Sequence, residues 1–94
     1  MFTSITPQKA QHDSGYIVQS GGRYSLQYLD GDLVGEIKVD RAAVTGLFPD
    51  SMVLRRANGP AAKPTAEEKE LIMNRIKSAL DYWGMKYHVY EGKP

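Results

Sequence analysis

The sequence has 94 residues, of which 41% are hydrophobic and 24% are charged, as is usual for one globular domain. Twelve Lys and Arg against eleven Asp and Glu give a net charge of +1, which argues against a dedicated nucleic-acid binder because such proteins carry a basic excess. The chain has no cysteine, which excludes disulfides, thiol nucleophiles and zinc–thiolate sites. It shows neither a signal-peptide pattern nor the roughly 20-residue apolar run of a membrane helix. We therefore expect a cytoplasmic protein with no membrane association.

The first fourteen residues are mostly polar and include Pro7. Such a segment has little apolar surface to bury, so residues 1–14 are predicted to be a loosely ordered N-terminal arm, with a short strand near residues 2–5. Residues 15–94 are predicted to form a single α+β domain.

Two glycine-containing dipeptides, Gly21-Gly22 and Asp30-Gly31, are typical of two-residue hairpin turns. If both close such turns, residues 15–39 form a three-stranded antiparallel meander. Opposed residues then share a face, and one face is apolar at nearly every position. That predicted core face comprises Ile17, Gln19, Tyr24, Leu26, Tyr28, Leu33, Gly35, Ile37 and Val39. The predicted open face comprises Tyr16, Val18, Ser25, Gln27, Leu29, Asp32, Val34, Glu36 and Lys38.

The second half of the chain predicts one helix between two further strands. Residues 51–56 read as a strand, and residues 57–64 as a loop. Thr65 with Glu68 has the spacing of a capping box, and Gly84 suits the position after a helix C-terminus. Residues 85–91 read as a last strand. The predicted fold is α+β: an antiparallel meander of about four or five strands, with one helix in the C-terminal half packed on one face.

Residue types that carry catalysis or bind metals form no recognisable constellation in the sequence. His12 and His88 lack the spacing of a metal-binding motif, and no serine lies in a nucleophile elbow. We therefore predict a protein that is not an enzyme and uses no cofactor or metal.

The open face of the predicted meander is the strongest functional signal. Its apolar residues are either covered by the arm or by residues 40–50, or they form an apolar spot with a polar rim, as protein-binding surfaces do. Acidic residues along the second hairpin would suit a basic partner. The predicted partner-binding residues are Tyr16, Gln27, Asp30, Asp32, Val34 and Glu36.

From Arg23 onward the sequence resembles the immunity protein 74 family of bacterial polymorphic-toxin and contact-dependent inhibition systems. The residues that carry the resemblance are Arg23-Tyr24-Ser25-Leu26-Gln27-Tyr28, Gly35-Glu36-Ile37, Asp50-Ser51-Met52 ahead of Pro60, and the helix that starts Thr65-Ala66-Glu67-Glu68-Lys69. The resemblance implies a small non-enzymatic cytoplasmic protein that binds a cognate toxin C-terminal domain, often a nuclease, and occludes its active site.

Two alternatives to toxin inhibition stay open at this point. Tyr16 and Tyr90 could stack bases beside Arg55 and Arg56, as in a small single-stranded nucleic-acid-binding module, although the balanced charge argues against direct nucleic-acid binding. An exposed strand edge could also pair with a second copy to form a homodimer.

Overall fold

A computed structural model describes residues 1–41 and 43–90 of the chain. It is an α+β fold with one seven-stranded sheet in the order β1-β2-β3-β4-β5-β6-β7, more strands than the four or five predicted. All neighbouring strands are antiparallel except β6 and β7, which are parallel. The elements are β1 Phe2–Thr6, β2 Lys9–His12, β3 Ile17–Ser20, β4 Ser25–Asp30, β5 Leu33–Asp40, β6 Thr45–Arg56, α1 Ala66–Tyr82 and β7 Tyr87–Val89.

The helix begins and ends as the sequence predicts. The Thr65 hydroxyl accepts a bond from the Glu68 N–H at 3.1 Å, and the Glu68 carboxylate accepts one from the Thr65 N–H at 2.9 Å, which completes the capping box. At the other end Gly84 has φ +71°. The Gly84 and Met85 N–H groups donate to the carbonyls of Asp81 and Leu80, which is a Schellman motif.

Replacing Thr65 by alanine should lower the free energy of unfolding by about 1 kcal/mol, because the helix loses the acceptor for one of its orphan N–H groups. Urea denaturation followed by circular dichroism measures this change. Thr65→Ser keeps the hydroxyl and serves as the control. Equal losses in the two variants would show that the hydroxyl bond does not stabilise the helix.

The first hairpin of the meander differs from its prediction. Gly21 and Ser25 close a three-residue loop, residues 22–24, through the Gly21 N–H and the Ser25 carbonyl. Val18 therefore lies opposite Tyr28, and the two faces of β3 are exchanged relative to the predicted two-residue turn. The physical reason is the cost of burying an amide: the predicted register would place the Gln19 side chain in the core, whereas the observed one places Val18 there.

The second hairpin keeps its predicted faces but has a different turn. Asp30 pairs with Leu33, so the loop consists of Gly31 and Asp32, and Gly31 has φ +59° at its first position, as type II′ turns require. Each pairing is displaced by two residues, which leaves side-chain alternation unchanged. Leu26 and Ile37 accordingly face the core as predicted, with relative exposures of 3% and 1%.

Within residues 1–14, where the sequence predicts a loosely ordered arm with one short strand, the structure has the hairpin β1–β2 at the edge of the sheet. Ala10 lies opposite Val18 of β3, and both are fully buried. The Phe2 ring contacts the rings of His12 and Tyr16 edge-on, at centroid distances of 4.9 and 5.8 Å. These few apolar side chains are enough to attach an otherwise polar segment to the domain.

Strand β6 is longer than the predicted residues 51–56. It begins at Thr45 and includes Pro49, because a bulge accommodates the proline within the strand. The register shifts opposite residues 36–38 of β5, and proline is tolerated in sheets at such irregularities. The Ser51 hydroxyl accepts from the Lys38 N–H and donates to the Phe48 carbonyl, at 2.8 and 2.6 Å. These bonds satisfy backbone groups that the bulge takes out of the ladder.

The last strand pairs with β6 in parallel, Thr45 opposite Tyr87, which the antiparallel prediction did not include. Of the predicted residues 85–91, only Tyr87–Val89 are strand, and Glu91 lies outside the described residues.

The core lies between the sheet and the buried stripe of α1. Helix residues Ile72, Met73, Ile76, Ala79 and Leu80 are at most 5% exposed. Strand β1 also reaches the helix, where the Ser4 and Tyr82 hydroxyls lie 2.8 Å apart. The sheet thus curls around α1 and leaves its opposite side, the outer face, turned to the surroundings.

Candidate functional site

The outer face is built from alternate residues of β3, β4, β5 and β6. One of its rows is apolar: Ile17 lies opposite Leu29, and Leu29 lies opposite Val34. The row ends at Arg55 of β6. All three apolar side chains are half-buried by their neighbours and keep an exposed part. The row therefore presents partly exposed apolar side chains on a hydrogen-bonded sheet.

The adjacent row is polar and internally hydrogen-bonded. The Gln19 side-chain amide donates to the Gln27 oxygen at 2.7 Å, and the Gln27 amide donates to the Glu36 carboxylate at 3.2 Å. Across from Glu36 stands Val53, which is 36% exposed. A carboxylate has about four lone-pair sites, so Glu36 keeps acceptor capacity for a partner.

A shallow hollow of about 540 Å³ continues the outer face toward the loop at residues 22–24. Its lining includes Tyr24, Glu36, Lys38 and Phe48. Tyr24 was predicted in the core but lies in the loop and is 63% exposed. The Arg23 guanidinium lies 5.5 Å from the centre of the Tyr24 ring. Tyr and Arg are the residue types most often responsible for binding energy at protein interfaces.

Four of the six predicted partner-binding residues are at the surface in this region. Gln27, Val34 and Glu36 are on the outer face in the two rows described above. Asp32 is exposed in the neighbouring turn, with its Oδ1 3.9 Å from Arg56 Nη1. Their role in partner binding remains a prediction.

Tyr16 and Asp30 do not belong to the outer face. Tyr16 is 4% exposed in the core, because the three-residue loop exchanges the faces of β3. Asp30 follows Leu26 and Tyr28 on the inner side of β4 and bonds to Tyr28 and Arg75. The acidic residues of the second hairpin are therefore separated by the sheet and do not form one patch.

A polar cluster ties β4 to the helix at this inner position. The Tyr28 hydroxyl donates to the Asp30 carboxylate at 3.0 Å, and Arg75 donates to the Tyr28 hydroxyl and, at 3.3 Å, to the same carboxylate. The Arg75 guanidinium also lies 4.6 Å from the centre of the Tyr16 ring. Burial raises the pKa of Tyr28 above its ordinary value of 10.0, although the Arg75 hydrogen bond opposes the shift. The cluster therefore joins the sheet to the helix through hydrogen bonds.

The raised pKa of Tyr28 predicts a stability loss in alkali. The folded state holds the Tyr28 proton more tightly than the unfolded state does. The resulting contribution to the free energy of unfolding is complete below about pH 10, and it is lost as pH rises through the higher pKa of the folded state. Tyr28→Phe should therefore lose less stability than wild type between pH 8 and pH 11 in urea titrations. Tyr24→Phe, at an exposed site, should behave as wild type does. Equal losses in all three proteins would contradict the assignment.

Residues considered for other chemistries are not brought together. Tyr90 stacks on Phe48 at 5.2 Å, whereas Arg56 lies near Asp32 and Glu68. Because Tyr16 is buried, only Tyr90 of the two tyrosines predicted to stack bases is at the surface. His12 stacks on Tyr16 at 4.8 Å. Within residues 1–41 and 43–90, no group of three His, Cys, Asp or Glu side chains is placed to hold a metal ion.

Comparisons with known proteins give no relative. No protein-family model matches the chain, and no significant match is found to a curated protein or a solved structure. The resemblance to the immunity protein 74 family thus remains a prediction. Among the described residues, no helix is long and apolar enough to cross a membrane. The class that the fold and the outer face define is a small α+β protein whose sheet has one face that the described helix does not cover.

Proposed function

We propose that this protein binds a partner protein through its outer face, and that the partner is the C-terminal domain of a bacterial toxin. In this role it is a cytoplasmic immunity protein that occludes the toxin active site without catalysis or a cofactor. The observation that carries the proposal is the apolar row Ile17–Leu29–Val34 beside the hydrogen-bonded row Gln19–Gln27–Glu36. An apolar centre with a polar margin is the usual anatomy of a protein interface.

The size of the outer face indicates how much surface the partner contacts. Four strands spaced about 4.8 Å apart, with about 20 Å of strand length, give a flat area of about 300 Å². A standard interface buries about 800 Å² on each partner. The partner must therefore extend beyond the flat rows, and the hollow around Tyr24 is the adjoining surface with suitable residues.

Charge contributes less to the proposal than apolar burial does. Glu36 is a carboxylate that a basic nuclease would attract, since nucleases bind phosphate. However, Lys38 and Arg55 lie on the same face, and the whole chain carries +1. We therefore attribute affinity chiefly to desolvation of the apolar row, and to Glu36 a faster association rate.

The test is to express the full chain with the C-terminal domain of the secreted protein encoded immediately upstream. We expect protection of cells against that domain and a stable one-to-one complex, seen by co-purification and calorimetry. Absence of both binding and protection would refute the proposed function. A self-associated form with no affinity for the toxin domain would also refute it and would support the homodimer alternative.

A further inference from the structure

A cavity of about 210 Å³ lies on the inner side of the sheet, at the C-terminal end of α1. Its apolar walls include Leu26 of β4, Leu80 of α1, and Trp83 and Met85 just beyond the helix, and its polar residues include Arg41. Leu26 and Leu80 are buried. Pockets for drug-sized ligands are typically about 300–1,000 Å³, so this one suits a single ring or a short aliphatic chain.

A second hollow, of about 370 Å³, opens beside the cavity and shares Gln8, Ser20 and Arg41 with it. It adds Arg23 to the lining. Neither lining contains an Asp or Glu among the described residues. Two guanidinium groups without a carboxylate make the mouth of the cavity locally more positive than the chain, whose net charge is +1. This selects for an anionic ligand group.

Arg41 is held in place at this mouth. One Nη2 N–H donates to the Ser20 hydroxyl at 2.9 Å, and that hydroxyl donates to the Gly22 carbonyl at 3.1 Å. A guanidinium has five N–H donors, arranged to bind a carboxylate through two parallel hydrogen bonds. The bond to Ser20 uses one of them, so the remaining donors include a pair for a ligand carboxylate.

The helix terminus at the cavity has the opposite electrostatic effect. A helix C-terminus carries about half a negative charge, and the last turn of α1 has no basic residue. Arg41 and Arg23 together carry more positive charge than this dipole neutralises. The Gly84 and Met85 N–H groups also cap the last carbonyls. A net positive potential therefore remains at the mouth.

Trp83 supplies a second indication of a ligand. Its indole Nε1 is buried and has no hydrogen-bond partner among the described residues, whereas buried indole N–H groups usually have one. Because the nitrogen has almost no exposed surface, a bond from it to a ligand requires the ring to move.

We propose that this cavity binds a small carboxylic acid with an apolar body, the carboxylate at Arg41 and the body against Leu26, Leu80 and Trp83. The cavity itself lies on the inner side of the sheet, although Arg23 at its mouth also lines the hollow around Tyr24. The ligand class follows from the walls, the volume and the paired guanidiniums.

The experiment uses the full chain labelled with ¹⁵N. Because Trp83 is the only tryptophan, its indole N–H gives a single signal that reports on the cavity. Phenylacetate is titrated at constant ionic strength, with phenylacetamide as the neutral control. We expect a saturable shift of the indole signal with phenylacetate, and about tenfold or more weaker binding of phenylacetamide, the size of one charge-assisted hydrogen bond.

Variants separate the proposed site from a general salt effect. Arg41→Gln should weaken phenylacetate binding by about tenfold, whereas Arg56→Gln, near Asp32 and Glu68 and outside both linings, should leave it unchanged. Arg23→Gln should weaken it less, and it provides the test if Arg41→Gln does not fold. No saturable shift, or equal binding of acid and amide, would overturn the proposal.

Discussion

Val34→Lys is expected to weaken binding of the toxin domain by about a hundredfold or more while the protein stays folded. Val34 is the β5 member of the apolar row, so the proposed interface covers it. A lysine there would place an unpaired charge in a desolvated contact, which costs about 3–5 kcal/mol. In the free protein the new ammonium reaches water, and its repulsion with Arg55 opposite costs less than about 1 kcal/mol.

The matched control for this substitution is Val44→Lys. Val44 is 46% exposed and precedes β6, away from the two rows of the outer face. Calorimetry should give wild-type affinity for Val44→Lys, and thermal unfolding should show that both variants are folded. If the two variants bind the toxin domain equally well, the apolar row is not part of the interface.

Leu80→Ala should lower the free energy of unfolding by about 3–4 kcal/mol, which is a large part of the 5–15 kcal/mol typical of a domain. Leu80 is fully buried between α1 and the sheet, so truncation removes apolar contacts and leaves a cavity. The same substitution at Leu71, which is 50% exposed on the same helix, should cost less than about 0.5 kcal/mol.

Urea denaturation followed by circular dichroism at 222 nm, a general helix signal, measures both leucine variants. Trp83 fluorescence is less suitable because Trp83 lines the same cavity as Leu80. A similar loss in both variants would mean that α1 does not pack on the sheet with the face described.

The features that the sequence predicted correctly are those determined by neighbouring residues. The capping box of Thr65 and Glu68 and the positive φ of Gly84 depend on a few adjacent positions. The faces of β4 and β5 were also correct, because an error of two residues in a turn does not alter the alternation. This is why Gln27, Val34 and Glu36 were placed on a common face.

Tyr16 and Tyr24 were misplaced, and Asp30 was assigned to the turn instead of the end of β4, because their positions depend on contacts distant in sequence. The dipeptide Gly21-Gly22 fits a two-residue turn locally, but burial of Val18 in place of Gln19 selects a three-residue loop. That choice places Tyr16 in the core and Tyr24 at the surface. Asp30 is held on the inner side by Arg75, forty-five positions away.

The ends of the sheet were also beyond local prediction. Strands β1 and β2 are attached by Phe2 and Ala10, two apolar residues in a polar segment. The parallel pairing of β7 follows from the crossover through α1, which returns the chain beside β6. Tertiary packing determines both the attachment of β1 and β2 and the pairing of β7, as it often does for short strands.

Hydroxyl-radical footprinting of the complex with the toxin domain can locate the interface, because it reports the accessibility of individual side chains. We expect Leu29, Val34 and Tyr24 to lose reactivity when the complex forms, whereas Leu71 and Val44 keep theirs. Protection of Leu71 and Val44 with unchanged reactivity of Leu29 and Val34 would contradict this expectation and assign the interface to another surface.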